Sequence, residues 1–151
     1  MREWLRFGVA GVVAIGLASQ GRVFAQGADA RGVDTIRAFV AAFNVKDIDA
    51  VMTFFTADAV YHNMPSAPVQ GTEAVRKVIT AFVSSASKVD WEILRIAQSG
   101  NTVLTERIDR FAINGKDVAL PVMGAFDLRD GKIAAWRDYF DMATWQKQTA
   151  R

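Results

Sequence analysis

A chain of 151 residues accommodates one domain with a single hydrophobic core and is too short for two. The absence of cysteine excludes disulfides, thiol catalysis and thiolate metal sites. Residues 1–25 hold three of the 18 Lys and Arg and one of the 16 Asp and Glu, so residues 26–151 carry 15 of each and no net charge, which removes any basic footprint for nucleic acid or an anionic membrane.

At the start of the chain, Arg2 and Arg6 flank the beginning of an apolar run over residues 7–18 that ends at Ser19-Gln20-Gly21-Arg22. This is the pattern of an export signal. Its 12 apolar residues fall short of the roughly 20 that cross a bilayer as a helix. Val23-Phe24-Ala25 offers cleavage positions before Gln26, which predicts an exported, periplasmic or secreted domain of residues 26–151 with no stable membrane insertion.

After a short polar linker, Asp34 is the expected N-cap of a helix with Ile36, Phe39, Val40 and Phe43 at helical spacing. Asp47 starts a second, short helix carrying Ile48, Val51, Met52 and Phe55. A strand over 59–64 stops at Pro65. A third helix follows Gly71, with Val75, Val78, Ile79, Phe82 and Val83 along one stripe. From Lys88 the period changes to two, and turn signals at Ser99-Gly100-Asn101, Asn114-Gly115 and Asp130-Gly131 predict strands over 88–98, 102–113, 116–128 and 132–141. A last helical turn is expected over 142–148. Helices followed by a meander predict an α+β domain in which a curved sheet, partly closed over the helices, leaves a pocket at the mouth of a cone.

Residues two apart on a strand share a face, so Tyr61 pairs with Asn63, Arg107 with Asp109, and Asp138 with Trp136 and Phe140. Charges among large apolar side chains are costly unless paired and hydrogen-bonded. Brought together, Asp109, Arg107 and Asp138 holding one shared proton would sum to zero charge, and the two coupled carboxyls would offer a base and an acid at once. Opening an epoxide needs both. In that reading Asp138 is the general base for a water held by Tyr61 and Asn63, Asp109 protonates the departing oxygen, and Arg107 orients and balances both. Each piece has a plainer reading. Arg107 and Asp109 could form a solvated strand pair, Asp138 could partner Arg137, and Tyr61 and Asn63 could be a core tyrosine and a turn residue before Pro65. His62, the only histidine, is read as structural, and no metal site is expected. Met64, Leu120, Val122, Trp136 and Phe140 suit either core or pocket wall.

Tyr61-His62-Asn63-Met64-Pro65, Glu106-Arg107-Ile108-Asp109 and Trp136-Arg137-Asp138-Tyr139-Phe140-Asp141 together resemble the three motifs of the limonene-1,2-epoxide hydrolase family. The resemblance implies the cone-shaped, mixed-sheet fold of nuclear transport factor 2 and ketosteroid isomerase (SnoaL-like, cystatin-like). It also implies an Asp-Arg-Asp triad acting on a small apolar epoxide and water, no metal or cofactor, and a homodimer. The export signal departs from the limonene-degrading enzyme and bears on the substrate more than on the reaction. Two other functions on this fold stay open: a non-catalytic small-molecule-binding protein, and another acid-base enzyme such as an isomerase, dehydratase or cyclase.

Regular two-residue turns would set Asp109 opposite Leu120 and Asp138 opposite Met123, on opposite faces of the strand over 116–128. The triad therefore requires one bulge to reverse parity. Pro121 and Gly124 place it between Leu120 and Ala125.

Overall fold

The computed structural model describes residues 20–150, with side chains from Arg31 onward. Residues 1–19 of the expected export signal lie outside the described residues. The chain runs α1 (Gln20–Asn44), α2 (Ile48–Thr53), β1 (Phe55–Asn63), β2 (Val69–Gln70), α3 (Thr72–Ser85), β3 (Ala86–Ser99), β4 (Thr102–Ile113), β5 (Lys116–Arg129), β6 (Lys132–Tyr139) and α4 (Met142–Thr149). The strands form one sheet in the order β2-β1-β6-β5-β4-β3. Every pairing is antiparallel except β1 with β6. The helices cover one face, with α1 packed on β3 and α3 on β1.

α1 begins earlier than the expected cap at Asp34, which is an exposed residue inside the helix. The stretch before it contains no proline to end a helix, and Gly32 is packed against the sheet. A Cβ on Gly32 would lie 2.1 Å from Gln98 Oε1 on β3, so glycine lets the helix approach the sheet. Asp47 does cap α2, accepting from the Ala50 amide at 2.9 Å. β1 starts at Phe55 rather than 59, and β6 ends at Tyr139 because Asp141 leaves the sheet to cap α4, accepting from the Ala143 and Thr144 amides. The hairpin turns have the expected chemistry: Asn114-Gly115 and Asp130-Gly131 all adopt positive φ, between 52° and 75°.

Phe39 on α1 is the hub of the core. Its ring meets Phe43, Phe54, Phe55, Phe126 and Trp136 edge-on with centroids 5.1 to 6.0 Å apart. Val75, Ile79 and Val83 bury the α3 stripe against this cluster, while Val78 and Phe82 beside them are only partly buried. Removing the Phe39 ring would cost about 3–5 kcal/mol.

The bulge exists, but not where Pro121 and Gly124 suggested. β4 and β5 pair without a break from Thr102↔Asp127 to Ile113↔Lys116, with Asp109 opposite Leu120. β5 and β6 start in register at Arg129↔Lys132 and Leu128↔Ile133, then continue from Asp127↔Ala135, so Ala134 is the extra residue. From there on Asp138 lies opposite Gly124, on the same face as Leu120. The irregularity sits where β6 changes neighbours: the Ile133 amide donates to Phe54 O at 2.7 Å, and the β1–β6 pairing skips between Phe55 and Val60. Pro121 is tolerated without a bulge because it lies on a stretch of β5 that β6 does not reach. Two residues earlier, Ala119 points its amide and carbonyl to the Gln148 side chain of α4, so the proline's missing N–H costs no ladder bond.

Candidate active site

With Ala134 looped out of the ladder, the polar side chains of three strands share one inner face. Parallel pairing sets Tyr61 beside Trp136 and Asn63 beside Asp138. Arg107 and Asp109 come from β4, two strands from β6, and reach across Gly124 on β5. His62 falls on the other face of β1, opposite Arg137.

Arg107 is fully buried. Its Nε donates to Asp109 Oδ1 at 2.9 Å and its Nη2 to Asp109 Oδ2 at 3.1 Å, a two-pronged grip. The same Nη2 donates to Asp138 Oδ1 at 2.9 Å, and Nη1 donates to the Thr105 hydroxyl at 3.0 Å. The guanidinium carbon sits 5.0 Å from the Trp91 ring centroid and 5.8 Å from that of Phe126. Trp136 Nε1 donates to Asp138 at 2.8 Å, on the same Oδ1 that Arg107 uses. The expected triad is therefore assembled, with all three members buried.

Burial decides the electrostatics. It raises the Asp109 pKa from 3.8 to about 6 against the lowering pull of Arg107, with Asp138 adding a further upward push. Burial likewise raises Asp138, opposed by Arg107 and by the Trp136 hydrogen bond. Burial alone would depress Arg107, but the two neighbouring carboxylates outweigh it and hold the guanidinium charged. Tyr61 is buried and stacked on Trp136 with centroids 4.0 Å apart. Burial, reinforced by the Asp138 charge, lifts its phenol well above the ordinary range, so it remains a neutral hydroxyl. One proton between the two aspartates makes the cluster neutral overall.

A cavity of about 300 Å³ opens on this cluster. Tyr61, Asn63, Asp109 and Asp138 share its wall with apolar side chains that include Leu120, Val122, Phe140 and Trp145. Trp136 belongs to both core and cavity wall, and Met64 to neither. Arg107 is not part of the wall and can act on a bound molecule only through the carboxyls in front of it. Among the described residues, no group of three or more His, Cys, Asp and Glu converges in a way that could hold a metal ion.

Three contributors were not recognised from the sequence as parts of the site, although Gly124 was noted there as a bulge marker. Thr105 shares the face of Arg107 two residues on, so the strand period could have found it. Trp91, opposite Asp109 on β3, and Gly124, opposite both Thr105 and Asp138, become visible only once cross-strand register is known.

The profile of the limonene-1,2-epoxide hydrolase catalytic domain matches residues 30–151. Epoxide hydrolase EphG of Mycobacterium tuberculosis is 35% identical over 109 residues, which cover 71% of each chain. A solved structure of an LEH-like epoxide hydrolase from M. tuberculosis superposes with a TM-score of 0.73 at 30% identity, covering 80% of this chain and 90% of that one. A putative SnoaL-like polyketide cyclase from Shewanella denitrificans is similar in fold alone, with a TM-score of 0.72 at 14% identity, covering 78% of this chain and 95% of that one. With its profile matched over nearly the whole described chain and its sheet carrying the motifs in one cavity, this chain belongs to the limonene-1,2-epoxide hydrolase family.

Proposed function

We propose that this epoxide hydrolase opens an apolar epoxide to a vicinal diol in one step, by direct attack of water, with Asp138 as general base and Asp109 as general acid. The observation that carries the reading is the Arg107 bridge, which ties both carboxyls together at the wall of a largely apolar cavity. A water held by the Tyr61 hydroxyl and the Asn63 amide gives up a proton to Asp138 as its oxygen bonds to an epoxide carbon. The carbon–oxygen bond of the ring breaks, and Asp109 passes its proton to the departing oxygen. Trp136 and Arg107 both donate to Oδ1 of Asp138, which favours Oδ2 as the oxygen that takes the proton. Transfer of one proton from Asp138 back to Asp109 resets the pair, and the cluster's net charge never changes. General acid and general base each supply on the order of 10² to 10⁴ in rate.

The apolar wall favours a hydrocarbon-rich epoxide. We also propose an exported homodimer. Outward-facing Leu104, Met123 and Tyr139, between 43% and 50% exposed, form apolar surface on the sheet that a second copy would cover.

The test is a single turnover of a panel of apolar epoxides in water enriched in heavy oxygen. Direct attack puts the label in the first diol formed. A first diol carrying an oxygen from an enzyme carboxylate would refute this mechanism, because that is the mark of a covalent ester. Light scattering on the purified protein tests the dimer.

A further inference from the structure

The guanidinium of Arg107 occupies space that position 124 leaves open. Gly124 pairs with Thr105 on one side and with Asp138 on the other, so it lies between two of the groups that Arg107 bonds. A Cβ built on Gly124 would sit 2.3 Å from Arg107 Nη1, 2.6 Å from Thr105 Oγ1 and 3.0 Å from Phe126 Cε2. Atoms that are not bonded keep about 3.5–4.0 Å between carbons. The backbone does not itself demand glycine here, because Gly124 is not among the residues at positive φ. The demand is for space alone, at this one strand position.

Arg107 has little room to yield. Its side chain is fully buried, the Trp91 ring covers the guanidinium at 5.0 Å, and Nη1 and Nη2 are held by Thr105 and by both carboxylates. A methyl group at 124 would push Nη1 away and rotate Nη2 off Asp138, which Arg107 holds through that one hydrogen bond whereas Asp109 is held by two.

We propose that Gly124 is a positioning residue of the triad, its missing side chain setting the depth at which the guanidinium lies between Asp109 and Asp138. The geometric part of this proposal stands alone, whereas its consequence for turnover rests on the acid-base reading of the two aspartates. As the guanidinium moves away, the attraction that holds the carboxyls down weakens, so the protonation of Asp138 shifts to higher pH. Substrate contacts made by the apolar wall are left in place.

The experiment compares the full chain with Gly124→Ala, Arg107→Lys and the double variant, measuring kcat, KM, the pH profile of kcat and thermal unfolding. Gly124→Ala is expected to lower kcat on the order of 10²-fold, as a displacement of about 1 Å at a reacting group does. KM should stay within about twofold, and the acid limb of the profile should move to higher pH. Lysine lacks Nη1, so adding alanine at 124 should lower the unfolding temperature far less in the Arg107→Lys background than in the wild type, a non-additivity expected only of groups in contact. A folded Gly124→Ala enzyme with unchanged kcat and acid limb overturns the proposal. Should Gly124→Ala fail to fold, the double variant decides. Folding as well as Arg107→Lys supports the contact, and failing equally overturns it. If the wild type opened no epoxide, the acid-base reading would fall while the stability comparison still judged the role of Gly124.

Discussion

Replacing Asp109 with asparagine removes one carboxyl whose titration should be visible in the stability of the whole domain. Asp109 is 5% exposed, and burial raises its pKa from 3.8 to about 6 although Arg107 grips it. A group whose folded pKa lies above its unfolded value binds its proton more tightly in the native state. Its stabilising contribution is therefore complete below about pH 4 and lost as pH rises through about 6. The difference is about two pKa units, and at 1.36 kcal/mol per unit it amounts to about 3 kcal/mol. Urea unfolding of the wild type between about pH 4 and about pH 7 should lose this amount relative to Asp109→Asn. Asp58, Asp127 and Asp141 are lowered by their hydrogen bonds and act in the opposite sense, but they do so equally in both proteins and cancel, so the comparison reads the titration of the coupled Asp109 and Asp138 pair. If the two stability curves run parallel through this window, Asp109 does not hold the proton and the charge bookkeeping of the triad is wrong.

Activity should carry the same signature, because kcat/KM declines as pH rises above about 6 and Asp109 gives up its proton, while protonation of Asp138 limits the acid side. A profile that keeps climbing through that range would contradict the donor assignment. Asp138→Asn keeps the shape of the side chain and its place under Trp136 and Arg107, so circular dichroism should be unchanged while kcat drops on the order of 10² to 10⁴-fold. Tyr61→Phe preserves the stack on Trp136 and deletes only the hydroxyl. We expect kcat/KM to fall about tenfold, the worth of one hydrogen bond, at an unfolding temperature close to that of the wild type. Wild-type kinetics in that variant would remove Tyr61 from the water site.

What could be read from the residues follows from how far each signal reaches along the chain. The stripe of α3, the Asn114-Gly115 and Asp130-Gly131 turns and the strands they join are local patterns, and they stand as expected except that the last strand ends at Tyr139 rather than 141. Arg107 with Asp109, and Tyr61 with Asn63, were also local pairs on one strand face. The meeting of Asp138 with them was not local, since it depended on counting residues through two hairpins. Parity correctly demanded a bulge, but glycine and proline misplaced it. Pro121 answers to an edge that β6 does not reach, Gly124 answers to the size of a guanidinium, and the extra residue is an alanine. The start of α1 was misjudged because Asp34 has the chemistry of a cap but lies inside the helix, and a capping residue type does not by itself mark a start.

Ala134 has no part in the chemistry, yet the side chains from 135 to the end of β6 face as they do only because that residue is looped out of the ladder. Deleting it would leave a regular ladder, with Ile133 still opposite Leu128 and Asp138 still opposite Gly124, so the triad should survive the loss of this residue. Relatives that keep the three signatures but are one residue shorter between Asp130-Gly131 and Trp136 should therefore remain active, with a straight β6 in place of the bulge. In this fold, a bulge one residue long can be gained or lost beside the site without turning any of its side chains away.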